Sequence, residues 1–291
     1  MARRSKSEAG KNEELDIQYI IDSIKSNTTS GLQLKESYSS DIGEGVLCGS
    51  NPRNGGNRKK HYDLFIDIDN ESNILTKKTE HKGCQKYKEF QPGDKPWIGG
   101  VQFHNGGCEL YPFTQKYARV WYDKLVYSNY QKEKHNITAN IPTFEEFWKE
   151  CKTQGDPKTD YMSQLKYKGG LMREERKLIL DSFELTSEDI DCIKSCVLEI
   201  ANKCLSEKEL WLSINGDIHD KFYSKWYPQF RIKSIDKVEP KKELDLKIYF
   251  TCKIEMFKKG VWIEQDEPLL FHGHLRWGSH QGITNLRFDL K

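Results

Sequence analysis

Between Lys59 and Gly83 the chain reads KKHYDLFIDIDNESNILTKKTEHKG, two alternating runs separated by the polar turn DNESN. Strand side chains alternate between faces, so this pattern commits the segment to an antiparallel hairpin with one apolar and one polar side. In the first arm Tyr62, Leu64, Ile66 and Ile68 face one way and Asp63, Phe65 and Asp67 the other. In the second arm Lys78, Glu80 and Lys82 share a face. If the turn DNESN is set so that paired residue numbers sum to 143, Asp63 lies directly opposite Glu80, and a slip of one residue would throw Glu80 to the other side. Strands use carboxylates sparingly. Two of them facing each other repel unless a cation lies between them, and an oxygen-rich site with open positions suits Mg²⁺ completed by water and phosphate. Lys82, two residues beyond Glu80, would then stabilise charge on that phosphate or orient the attacking water.

The rest of the chain supplies an α+β frame for this hairpin. LDIQYIIDSIKS (15–26) places Leu15, Ile17, Ile20, Ile21 and Ile24 on one helical stripe. A long Ser/Gly/Asn-rich passage follows, too long for a plain connector. Helical patterns recur at 114–127, at IPTFEEFWKEC with Thr143 and Glu146 as a capping box, at 171–183, at 188–204 with Thr186 or Ser187 as cap, and around LSEKELWLSI. From residue 229 the period becomes two, giving a series of strands to the C-terminus. The expected organisation is a mobile basic tail (1–13), a core (14–131), a mostly helical region (132–228) and an antiparallel β region (229–291).

Composition restricts the function classes. With 12% aromatic residues the chain is not disordered, and a net charge of +2 means that any anionic partner must be met by local patches. The eight cysteines include no CxxC pair, which argues against a zinc site or a disulfide framework and for a reducing compartment. No apolar run approaches a membrane span and no secretory signal is evident, so an intracellular, soluble protein without a membrane partner is expected.

Asp63, sixteen spacer residues (64–79), and then Glu80-His81-Lys82-Gly83 resemble the PD-(D/E)xK signature of the restriction-endonuclease-like nuclease superfamily. Tyr62 stands where the motif's name has proline, and the acids and the lysine carry the chemistry. The resemblance covers at most residues 15–130. It implies a small mixed sheet flanked by helices, here 15–26 and 114–127. It also implies a Mg²⁺-dependent phosphodiesterase in which Asp63 and Glu80 bind the metal and Lys82 assists the water. Many members add an upstream acid, for which Glu36 and Glu44 are candidates and Glu44 is preferred. Acid-x-Lys recurs at Asp156-Pro157-Lys158 and Asp245-Leu246-Lys247, in a turn and in a strand without a matching partner.

Nucleic-acid contacts are expected from RNGGNRKK, where Arg53, Arg58, Lys59 and Lys60 flank glycines that admit a phosphate backbone. Gln102 is expected on a strand near the metal. A C-terminal ribbon would present Arg276 and Arg287 outward, suited to groove contact; His272 and His274 share the Arg276 face without a third ligand of fixed spacing. The leading expectation is a site-specific DNA endonuclease of restriction type, acting on double-stranded DNA as a homodimer because one site per chain must cut two strands. The competing classes are a non-catalytic nucleic-acid-binding protein, an RNA-cleaving enzyme, and a recombination or transposition nuclease with the same core.

Overall fold

A computed structural model describes residues 8–49, 62–83, 101–102, 112–152, 157–168, 172–277 and 286–290. The chain is mixed α+β and divides into two compact units. The first comprises Met1–Pro96, Asn202–Arg231 and Ile254–Gln265; the second comprises Trp97–Ala201, Ile232–Lys253 and Asp266–Lys291.

The first unit is built on the hairpin. Strands β1 (Val46–Gly49), β2 (Leu64–Asp69) and β3 (Ile74–Gly83) are antiparallel neighbours. The chain then returns through a later helix to β5 (Leu210–Gly216), which runs parallel to β3, and finishes with antiparallel β6 (Phe222–Pro228). The sheet order is β1-β2-β3-β5-β6. Leu64 pairs with Thr79 and Phe65 with Lys78, the register that sets Asp63 opposite Glu80.

One face of this sheet is apolar. Leu64, Ile66, Ile68, Leu212, Ile214 and Trp226 pack against α1 (Glu8–Ser26) and α2 (Thr29–Asp41) in a single buried cluster. Ile17, Ile20, Ile21 and Ile24 form the buried stripe of α1; Leu15, expected on that stripe, is exposed. Each such fully buried aliphatic contributes about 1.5–3 kcal/mol. Helix α1 begins at Glu8, inside the segment expected to be a mobile tail.

Helix α2 and β1 lie where the sequence suggested an irregular passage. Thr28 caps α2 by accepting from the Gly31 N–H, but Ser, Gly and Thr weaken the helical signal. Tertiary contacts hold it instead: Trp226 Nε1 donates to the Leu34 carbonyl at 3.1 Å and its backbone N–H to Asp41 at 2.8 Å. Residues 202–228 were expected in the helical region, and LSEKELWLSI as a helix. They contain β5 and β6 of this sheet, because Leu210, Trp211 and Leu212 are all buried and such a run carries no alternation to betray a strand.

The second unit contains short β4 (Val101–Gln102) and α3 (Pro112–Trp121), continued by a π-helical turn over Tyr122–Tyr127. Helices α4 (Tyr130–Lys134), α5 (Phe144–Lys152), α6 (Asp160–Tyr167), α7 (Arg173–Ser182) and α8 (Ser187–Ser206) follow. The Thr143–Glu146 box closes reciprocally, and Thr186 with Asp189 does the same for α8. The second sheet has the order β4-β11-β10-β8-β7, with β9 on β8; β9 and β8 from Ile254 onward fall within the bounds of the first unit. Its strands are β7 (Phe230–Lys242), β8 (Leu246–Lys258), β9 (Val261–Glu264), β10 (Leu269–Trp277) and β11 (Leu286–Leu290). The helix expected to flank the hairpin sheet, 114–127, belongs to this second unit, so the core expected at 14–131 is not a contiguous segment. No helix among the described residues is long and apolar enough to cross a membrane.

Gly31 is where α2 comes closest to α1: a Cβ there would sit 1.9 Å from the Ser23 carbonyl oxygen. Alanine is the better helix former by about 1 kcal/mol, yet it cannot fit against backbone. Gly31→Ala is therefore expected to destabilise the chain by about 2 kcal/mol or more in urea denaturation, and a stabilised variant would contradict the close packing.

Candidate active site

The polar face of the first sheet carries Asp63, Glu80, Trp211 and Tyr227 in one row across four strands, and Lys82, Ser213 and Lys225 in the next. Strand alternation places them all opposite the apolar cluster. Asp63 is fixed at the head of β2: its N–H donates to the Thr79 carbonyl and its Oδ2 accepts from the His81 N–H, both at 3.0 Å. Asp63 and Lys82 are half-buried, whereas Glu80 is buried. The three residues of the motif thus converge on one patch.

A fourth residue joins them. Lys208 lies in the turn between α8 and β5, is 2% exposed, and brings its Nζ to 3.3 Å from Glu80 Oε1. The turn is pinned beside Glu80 by its neighbour. Glu209 donates its N–H to the Lys78 carbonyl at 2.8 Å and accepts the Lys78 N–H on its carboxylate at 3.0 Å. The Lys208 ammonium also lies over the Trp211 ring, 4.6 Å from its centroid. Lys82 Nζ meets the same Glu80 oxygen, Oε1.

Burial alone would push the Glu80 acid up. The ammonium groups of Lys82 and Lys208 outweigh it and hold the carboxyl below its ordinary value of 4.5. For Lys208 burial prevails: it pulls the lysine below its ordinary range, and Glu80 and Asp63 oppose the shift only in part. The two directions differ because Glu80 has two cations on one oxygen, while Lys208 is both buried and repelled by Lys82.

Other expected residues are not brought to this patch. Val46 pairs with Asp69, at the turn end of the hairpin, so exposed Glu44 lies about six strand residues, or ~20 Å, from Asp63. Glu36 is on α2, against the opposite face of the sheet. Gln102 is not on a neighbouring strand: β4 belongs to the second sheet, where Gln102 pairs with Asp289, and the neighbour of β3 is β5. Arg53, Arg58, Lys59 and Lys60 lie outside the described residues. Arg276 and Arg287 pair with each other across β10 and β11, and their side chains lie outside what the structure describes. On that ribbon His274 is tied to Asp245 at 3.2 Å. Among the described residues no group of three His, Cys, Asp or Glu side chains is placed to hold a metal ion. Any cation at Asp63 and Glu80 therefore has two carboxylates from those residues and must take its remaining ligands elsewhere.

A scan against protein-family models, a search of curated proteins and a search of solved structures each returned no match.

A carboxyl whose folded acidity exceeds its unfolded acidity contributes stability in full above its ordinary value, and that contribution is lost as pH falls through the lower folded value. Glu80→Gln is therefore expected to flatten part of the loss of unfolding free energy between about pH 5 and pH 3, read by urea titrations at several pH values. An unchanged acid limb would contradict the ionised, doubly paired Glu80.

Proposed function

We propose that this chain is a Mg²⁺-dependent phosphodiesterase acting on nucleic acid, with double-stranded DNA as substrate and the restriction-endonuclease-like core as its first unit. The observation that carries the reading is the convergence of Asp63, Glu80 and Lys82 on one sheet face in the register their spacing implies. The first unit also has the small mixed sheet that the PD-(D/E)xK resemblance implies, with helices packed on its apolar side.

The donor set fits a hard cation. Two carboxylates from facing strands offer oxygen ligands, the chemistry a hard cation takes. When bound, Mg²⁺ supplies charge stabilisation at the phosphate and acidifies a water. The chain's own groups do the rest. His81 N–H orients Asp63, the two lysines keep Glu80 ionised, and Lys82, the more exposed of them, can reach a phosphate oxygen. Water oxygen bonds to phosphorus, one P–O ester bond breaks, and the leaving oxygen takes a proton, giving a phosphate monoester and a hydroxyl with no change of oxidation state.

The surrounding face suits a polyanion. Tyr62, expected on the apolar face, instead meets the Phe65 ring at 5.2 Å with Lys78 5.7 Å from its own centroid, and Lys225 lies over the Tyr227 ring at 5.3 Å, so cations and aromatic rings alternate beside the acids. Cutting both strands with one site per chain calls for a two-fold pair of chains.

Supercoiled plasmid is expected to be nicked and linearised with Mg²⁺ and left intact with EDTA. Asp63→Asn and Lys82→Met are each expected to lose about 100-fold or more of that rate while retaining the wild-type circular dichroism spectrum. Wild-type protein that binds duplex but never nicks it with Mg²⁺ or Mn²⁺, or variants as active as wild type, would contradict the proposal. Cleavage of RNA with duplex DNA untouched would reassign the substrate.

A further inference from the structure

Lys208 raises a question that hydrolysis by Asp63, Glu80 and Lys82 does not answer. A lysine that is 2% exposed is costly to desolvate, and here it meets a carboxylate already paired with Lys82. A metal site with two acids does not need a second ammonium group on one of them. The arrangement makes sense as a balance of charge. Asp63 and Glu80 contribute two negative charges, and Lys82 and Lys208, which both meet Glu80, two positive ones, so these four groups balance before any cation arrives.

The lysines differ in freedom. The Lys82 side chain is 27% exposed and has water to turn towards. The Lys208 side chain is 3% exposed, lies against Trp211, and springs from a turn whose next residue is bonded twice to Lys78. Lys208 cannot leave when a dication approaches Glu80, and in a poorly hydrated site the repulsion is strong. A phosphodiester brings a negative charge and oxygen ligands that two carboxylates alone do not supply. Resting on the reading of Asp63 and Glu80 as metal ligands, we infer that Lys208 is a resident counter-ion that makes divalent-metal binding conditional on a phosphodiester. Cation and nucleic acid then occupy the site together, and free chain holds metal weakly. Such coupling is reciprocal, so metal tightens nucleic acid by the factor by which nucleic acid tightens metal.

The probe for the free chain is Mn²⁺, titrated without nucleic acid and followed by electron paramagnetic resonance of unbound ion. Wild type is expected to bind weakly, and Lys208→Met to bind about tenfold or more tightly. A lysine that only supported the fold would leave the affinity equal or lower it on substitution, and either result overturns the inference. Should Lys208→Met fail to fold, wild type alone decides. Its affinity for a fluorescent duplex with phosphorothioate linkages is expected to rise about tenfold between EDTA and Ca²⁺, and an affinity indifferent to Ca²⁺ overturns the inference. A Lys208-dependent gain in Mn²⁺ affinity from a chain that never cleaves plasmid supports the inference while removing the hydrolytic reading.

Discussion

The pairing of Leu64 with Thr79 fixes which side of the sheet each neighbour occupies, and alternation leaves little freedom beyond it. Leu64, Ile66 and Ile68 turn towards α1 and α2, and the burial of that cluster pays for the register. Asp63 and Glu80 then have no choice but the opposite face. The apolar core and the polar patch are two consequences of one hydrogen-bonding frame, and a slip of one residue would destroy both. The parallel addition of β5 extends the frame without changing it, because Glu80 stands beside Trp211 and Lys82 beside Ser213.

That frame was legible because its signal is local. Alternation in HYDLFIDI, the turn residues DNESN and the acid-x-Lys of the second arm mark the hairpin within 25 consecutive residues, 59–83, and the register that sums to 143 makes the acids face each other. The capping box at Thr143 was legible for the same reason, since it closes over three residues, and of the two caps considered for the later helix, Thr186 and Ser187, it is Thr186 that closes on Asp189. Lys208 left no comparable trace. It lies 128 positions after Glu80, in a segment whose buried Leu-Trp-Leu run hid a strand, and it is aimed by the hydrogen bonds that the Glu209 N–H and carboxylate make with the Lys78 backbone. Helix α2 was hidden differently: its residues are poor helix formers, and the bonds that hold it come from Trp226. Glu44 was misplaced because nothing in its neighbourhood announced β1, whose pairing at Asp69 carries it to the far end of the hairpin.

The electrostatics of the patch follow from how burial is distributed. Burial alone would push the Glu80 carboxyl up, and the two ammonium groups that share its Oε1 hold it below its ordinary value instead. The cost of that arrangement falls on Lys208, which burial draws towards its neutral form. On the proposed reading, four mutually balanced charges flanked by lysines over aromatic rings favour a cation that arrives with a phosphate over a free one. In this account metal affinity, substrate charge and the hairpin register are parts of one design, in which the sheet places the acids and the substrate completes the site.

Anomalous scattering from Mn²⁺ in crystals of the chain bound to a short duplex tests the central claim most directly. The account predicts one peak within coordination distance of both Asp63 and Glu80, with a phosphate oxygen completing its ligands. A peak bound elsewhere on the chain, or density at Glu80 that remains only the two lysines with the duplex in place, would contradict it.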